Sequence, residues 1–126
     1  MFNPWHIPAL FVASALTFGG MWPYFDATSA IRDFGLPSRI ADSKEARGVF
    51  LISASRTTVI GAIIFAFYFQ EKFADVDTVM VILGSYVGAA DGYVCWREGV
   101  PGKAVFRSLS GLAIAAWGWY GMTART

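Results

Sequence analysis

Residues 49–69 read VFLISASRTTVIGAIIFAFYF. The run is apolar over most of its length and long enough to cross a bilayer, which takes about 20 residues. One full charge, Arg56, sits inside it. Residues 79–96, VMVILGSYVGAADGYVCW, repeat the pattern with Asp91 as the charge. An ionised side chain is costly in hydrocarbon, so it normally faces inward, has a partner and marks function. These two stretches assign the chain to the all-α integral membrane proteins and single out Arg56 and Asp91.

Working outward, four hydrophobic segments emerge, roughly 4–22, 47–70, 76–96 and 103–122, and together they predict one four-helix transmembrane domain spanning 1–126. Composition agrees: 56% of the 126 residues are hydrophobic and 15% are charged, where a soluble domain carries about 25% charged. Trp5, Trp22, Tyr24, Tyr68, Trp96, Trp119 and Tyr120 fall near segment ends, as an aromatic belt does. The first segment lacks the basic start of a signal peptide and is read as an uncleaved membrane helix. The short links after the second and third segments make neighbouring helices antiparallel. The long first connection holds SAIRDFGL, a short amphipathic piece that Gly35 and Pro37 should end.

Arg32, Arg39, Lys44, Arg47, Arg97 and Lys103 lie on the first and third connections, against only Lys72 and Arg125 on the opposite side. Basic loops stay in the cytosol, so both termini are expected on the non-cytosolic side of a multi-pass protein, in the endoplasmic reticulum membrane if the cell is eukaryotic. A net charge of +1 offers no field for nucleic acid. A single cysteine and a single histidine exclude an internal disulfide and any multi-cysteine metal site. No nucleotide-binding loop or nucleophile elbow is present. No cofactor is expected; the expected partners are the lipid bilayer and a lipophilic small molecule. Gly84 and Gly88 form a GxxxG, which serves either packing within the bundle or a homodimer seam.

Arg56 lies roughly 13 Å into the second segment and Asp91 roughly 7 Å from the end of the third, by a rise of 1.5 Å per residue. Arginine can reach across much of that difference, so the pair is expected to meet. Gly84, Gly88, Asp91 and Cys95 share one face of a regular helix, and Ser53, Arg56, Thr57 and Gly61 share another. Asp26, Tyr24 and Arg107 reach the same level, and Tyr86 and Tyr93 flank Asp91. This constellation suits acid–base chemistry in an apolar pocket: Asp91 as base or nucleophile, Arg56 to orient it and hold developing negative charge, Asp26 (or Asp33) as acid. Tyr86, Tyr93, Arg107 and Tyr24 would bind substrate. The alternative is a scaffold in which Arg56 and Asp91 only stitch two helices together.

SASRTTVIGAIIFAFYF, FGLPSR and AADGYVCWREGVPGKAVFRSLSGLAIAAWGWYG resemble the small four-helix membrane proteins catalogued as domain of unknown function four-two-six-seven. Arg56 and Gly61 match that family's G-x-R-[DN]-x-x-x-G pattern, with Thr57 in place of the usual acid. Phe34–Pro37 match its FG-[LI]-P element, and Asp91 its intramembrane aspartate. Arg107 falls near a frequent histidine. The resemblance covers roughly residues 23–121 and implies a fold with no assigned activity. A looser similarity, to the fungal membrane hydrolases of citreoviridin and aurovertin type pathways, implies epoxide opening, by hydrolysis or cyclisation, of a lipophilic secondary-metabolite intermediate.

Overall fold

The computed structural model describes residues 4–125, and among these every regular element is helical. A 3-10 turn over Pro4–His6 leads into α1 (Ile7–Gly19). Pro23 opens α2 (Pro23–Phe34), where its missing N–H costs nothing. A short α3 (Ser38–Ala41) follows. The Ser43 hydroxyl accepts the Ala46 amide at 3.2 Å and caps α4 (Lys44–Phe69). After a tight turn come α5 (Phe73–Ile82), a π-helical segment (Leu83–Val87) and α6 (Gly88–Arg97). Pro101 starts α7 (Pro101–Trp119).

The long apolar helices stand where the sequence places them, with two differences. The first segment, expected over 4–22, is helical only to Gly19, because Pro23 begins a new helix three residues after Gly20. The amphipathic piece is the second half of a longer α2, which kinks at Asp26 (φ −153°, ψ 82°). Two helical stretches, Lys44–Phe69 and Phe73–Arg97, are long and apolar enough to cross a membrane. Their outer faces, with those of α1 and α7, leave Phe11, Phe18, Val49, Ile52, Val59, Phe69, Ile82, Leu109 and Leu112 exposed. Apolar surface on this scale marks contact with lipid or another apolar partner.

Helices pair through small residues. α1 lies on α4, where Gly61 faces Thr17 and the Ala13 carbonyl, and Thr58 Oγ1 donates to the Thr17 carbonyl at 3.1 Å. α6 lies on α7 more closely still. A Cβ added to Gly84 would strike the Gly111 carbonyl, and one added to Gly111 would lie 2.6 Å from the Gly88 Cα. Such contact gains dispersion energy that bulkier residues would forfeit. The face of Gly84 and Gly88, weighed as a homodimer seam, is thus filled by α7 of the same chain.

The π segment adds a residue to one turn, and the stripe meeting α7 is Gly84, Gly88 and Gly92, with Gly92 against Ser108. Gly88, Asp91 and Cys95 follow it within the regular α6, at spacings that put them on one face.

The largest core cluster lies in one half of the structure, while Ala30 and Ile31 of α2, Ala41 of α3, Cys95 of α6 and Ala104 of α7 are buried in the other. Ala9, Val12 and Ala13 of α1, Ile64 of α4 and Val76, Met80 and Leu83 pack together, with Ile60, Phe67, Val87, Ile114 and Trp117 around them. In the other half, nearest the α2–α3 connection, α4 and α6 do not pack along each other; α2 lies on α4 instead.

Gly84→Ala should lower stability by about 1–3 kcal/mol, because the atoms it strikes are backbone and cannot turn aside. Gly102→Ala, with nothing within 4 Å, should be neutral or slightly stabilising. Thermal unfolding of both variants in one detergent makes the comparison.

Candidate functional site

Two helices turn polar just beyond the largest core cluster. On α4 the partly buried Phe67 and Ile60 lie on the core, and Arg56 follows Ile60 by one turn. Val76, Met80, Leu83 and Val87 form another core-facing stripe, and Asp91 follows Val87 by one turn. Both charges therefore sit one turn beyond the core.

They do not pair. Arg56 is exposed, and its Nη1 donates back to the Ile52 carbonyl of its own helix at 3.2 Å. The cation whose field reaches Asp91 is Arg107 of α7, with no ion pair between them. Asp91 is half-buried and, among the described residues, accepts no hydrogen bond and joins no ion pair. The expected Arg56–Asp91 contact is replaced by an Asp91–Arg107 juxtaposition, because α6 is built against α7 and not against α4.

Arg107 is fixed by α2. That helix ends with the Gly35 amide on the Arg32 carbonyl (3.2 Å) and the Leu36 amide on the Ile31 carbonyl (3.3 Å), the paired bonds of a Schellman close. Gly35 takes φ +122°, and a side chain there would collide with Lys103 and Cys95. The carbonyls left over at the helix end attract cations. Arg107 Nε donates to the Phe34 carbonyl at 3.1 Å and its guanidinium lies 4.1 Å over the Phe34 ring. Lys103 Nζ donates to the Asp33 carbonyl at 3.0 Å. The Phe34 ring meets Phe50 of α4 edge-on at 5.7 Å. Nearby, Arg39 of α3 pairs with Glu98 at 2.9 Å. The connection is thereby fastened across the open half, and the two Nη groups of Arg107 make no hydrogen bond among the described residues.

The other candidates lie elsewhere. Asp26 is exposed and caps the second half of α2: its Oδ1 accepts the Ser29 amide at 3.1 Å. The Ser29 hydroxyl and amide hold its carboxyl below the usual carboxylate range, so it stays ionised where an acid must be protonated. Its placement as an exposed cap lends no support to the expected role of proton donor. Tyr24 is exposed, and its hydroxyl donates to the Leu51 carbonyl at 3.4 Å. Tyr86 and Tyr93 are 76% and 62% exposed, so neither is enclosed with Asp91. Tyr93 instead lines an outer groove of about 560 Å³ with Ala89, Trp96, Val105 and Leu109, along the other flank of the α6–α7 seam.

One polar cluster escaped the sequence reading. Asp77 is 4% exposed, and its Oδ1 and Oδ2 accept the amides of Thr123 and Ala124 at 3.0 and 2.9 Å. It clasps the chain after α7. His6, also buried, bonds the Tyr68 hydroxyl at 3.0 Å through Nδ1. Asp77 sits at the second position of a V-D-T-V run beside a polar link, and nothing in that spacing separates a capping carboxylate from a loop one.

Residues 13–121 match the family model described as Domain of unknown function (DUF4267), and the chain belongs to that family. The match begins ten residues before the resemblance seen in the sequence, within α1. No curated protein and no solved structure matches the chain.

Asp26→Asn should leave both helix and any activity intact, since asparagine caps as well as aspartate. Asp26→Ala should lower the unfolding temperature at neutral pH. Because the folded carboxyl titrates below its unfolded value, the difference between wild type and Asp26→Ala is full above the unfolded pKa. It shrinks as pH falls through the folded one. Unfolding temperatures across acid to neutral pH measure this.

Proposed function

We propose that this DUF4267 member is a four-helix integral membrane enzyme, both termini on the non-cytosolic side, that opens a lipophilic epoxide by acid–base chemistry without a cofactor. The membrane assignment is supported by the two span-length helices and by the apolar outer faces of all four long helices. The orientation rests on the excess of Lys and Arg in the first and third connections.

The observation that carries the activity is Asp91, a half-buried carboxylate without a hydrogen bond, one turn past the core and within the field of an arginine whose Nη groups are uncommitted. A carboxylate kept only for structure is normally hydrogen-bonded, as Asp77 is. The proposed scaffold alternative depends on an Arg56–Asp91 stitch and draws no support from the two residues as placed.

In the proposed step Asp91 takes the proton from a water, or from a hydroxyl of the substrate itself. The freed oxygen attacks one epoxide carbon, and the carbon–oxygen bond on that carbon breaks. The departing oxygen becomes an alkoxide, which the Arg107 Nη groups stabilise. The proton then returns from Asp91 to the alkoxide. Water gives a diol; an internal hydroxyl gives a cyclic ether. The cycle restores the carboxylate and requires no second acid, so the loss of Asp26 from the site leaves it whole.

Asp91→Asn should fold normally and lose turnover by about 10²–10⁴-fold, the usual contribution of a general base. Purified protein incubated with lipophilic epoxides, with diol or cyclic ether read by mass spectrometry, checks it. Turnover that survives in Asp91→Asn would remove this residue from the chemistry.

A further inference from the structure

The α2–α3 connection is attached to its two neighbours in different ways. Toward α4 it is packed. α2 lies along α4, the Phe34 ring meets Phe50 edge-on at 5.7 Å, and Arg47 Nη1 donates to the Thr28 hydroxyl at 3.2 Å. Toward α6 and α7 it is tied. α2 packs along neither of those helices. Lys103 Nζ and Arg107 Nε instead donate to the Asp33 and Phe34 carbonyls at 3.0 and 3.1 Å. Arg39 Nη2 donates to the Glu98 carboxylate at 2.9 Å and to its carbonyl at 3.3 Å. α4 likewise packs along neither α6 nor α7, so these ties join the two sides of the structure at this end.

Ties of this kind part more readily than packed surfaces. An exposed ion pair such as Arg39–Glu98 gains little in water and is screened by salt. A carbonyl at a helix end can exchange its cation for water. Beneath the ties lies Cys95, which is fully buried. Its Sγ is 3.9 Å from the Phe34 carbonyl. A Cβ added to Gly35 would come within 3.0 Å of that sulfur and 2.6 Å of the Lys103 Cβ. Gly35 thus lets the connection close down onto α6 and α7. Asp91 stands one turn before Cys95 on the same face of α6. The charged groups around the thiol are Arg107, Asp91 and Lys103.

We infer that the connection is a latch on the α6–α7 pair, released to admit a lipophilic molecule to Asp91 and closed to set Arg107. The latch regulates the site of the proposed function and rests on that reading for its purpose. When it is closed, the Phe34 carbonyl and ring fix the Arg107 guanidinium, and Gly35 covers Cys95. When the ties part, α2 remains on α4, and the Cys95–Asp91 face of α6 opens with Arg107 beside it. A closing element of this sort both admits substrate and completes the arrangement of reacting groups.

Cys95 is the chain's one cysteine, so its alkylation by N-ethylmaleimide, read by intact mass on the full chain in detergent, reports release of the latch. The reference is a core thiol: Val76→Cys, at a fully buried position, combined with Cys95→Ala. Cys95 is expected to react about tenfold faster than the core thiol or more, since local opening requires less free energy than global unfolding. Arg39→Gln should speed Cys95 by about two- to fivefold, the contribution of an exposed ion pair, and leave the core thiol unchanged. Salt at about 1 M, which screens charges beyond about 3 Å, should act in the same direction. Labelling of Asp91 by dicyclohexylcarbodiimide should rise with Cys95 in Arg39→Gln. Equal rates at the two thiols overturn the inference, because Cys95 then opens only with the whole molecule. A Cys95 rate that neither Arg39→Gln nor salt changes overturns it as well, as does one that rises without Asp91. Should Arg39→Gln fail to fold, Glu98→Gln cuts the same pair and decides by the same readings. Epoxide turnover is measured on the same samples. Thiol and carboxylate labelling as expected, with no turnover of any epoxide, leaves the latch standing while the enzyme reading falls.

Discussion

The hydrogen bond from Arg107 Nε to the Phe34 carbonyl joins the two parts of this molecule. On one side it satisfies the end of α2, a helix whose last carbonyls have no partners of their own. On the other it fixes an arginine of α7 beside Asp91 of α6. The stacked Phe34 ring and the edge contact to Phe50 carry the same fastening across to α4. Release of this contact would free α2 and let Arg107 swing away from the carboxylate. Connection and site therefore stand or fall together.

The pairing of the helices follows from where the chain places bulk. Large side chains gather in one half of the bundle and hold α1, α4, α5 and α7 around a common core. In the other half glycine draws α6 onto α7, and Ile31 of α2 and the Phe34–Phe50 contact occupy the space toward α4. The polar residues in that space are the next members of the stripes that make the core. The same helical faces thus supply core packing along one stretch and polar groups along the next.

Much of this was legible in the sequence. Hydrophobic run length gave the long helices, and the Gly35–Pro37 signal gave the end of α2, because these depend on local chemistry. Asp91 was legible because a charge amid apolar residues is rare. The identity of its partner was not. Depth along two helices says that Arg56 and Asp91 can meet, but azimuth decides whether they do, and the π segment at Leu83–Val87 alters azimuth without a sequence mark. Asp26 looked like an acid at the right level; its role as a cap appears only with the kink beside it. Asp77 was hidden because its partners are backbone amides 46 and 47 residues away, which no side-chain pattern announces.

The central claim is that Asp91 is a free carboxylate open to lipophilic molecules. The most direct measurement is labelling of the full chain in detergent with dicyclohexylcarbodiimide, with the modified residues located by peptide mass spectrometry. The account predicts modification at Asp91 and protection of Asp77, whose oxygens are both engaged. An unlabelled Asp91, under conditions in which exposed carboxylates of the same chain react, would contradict it.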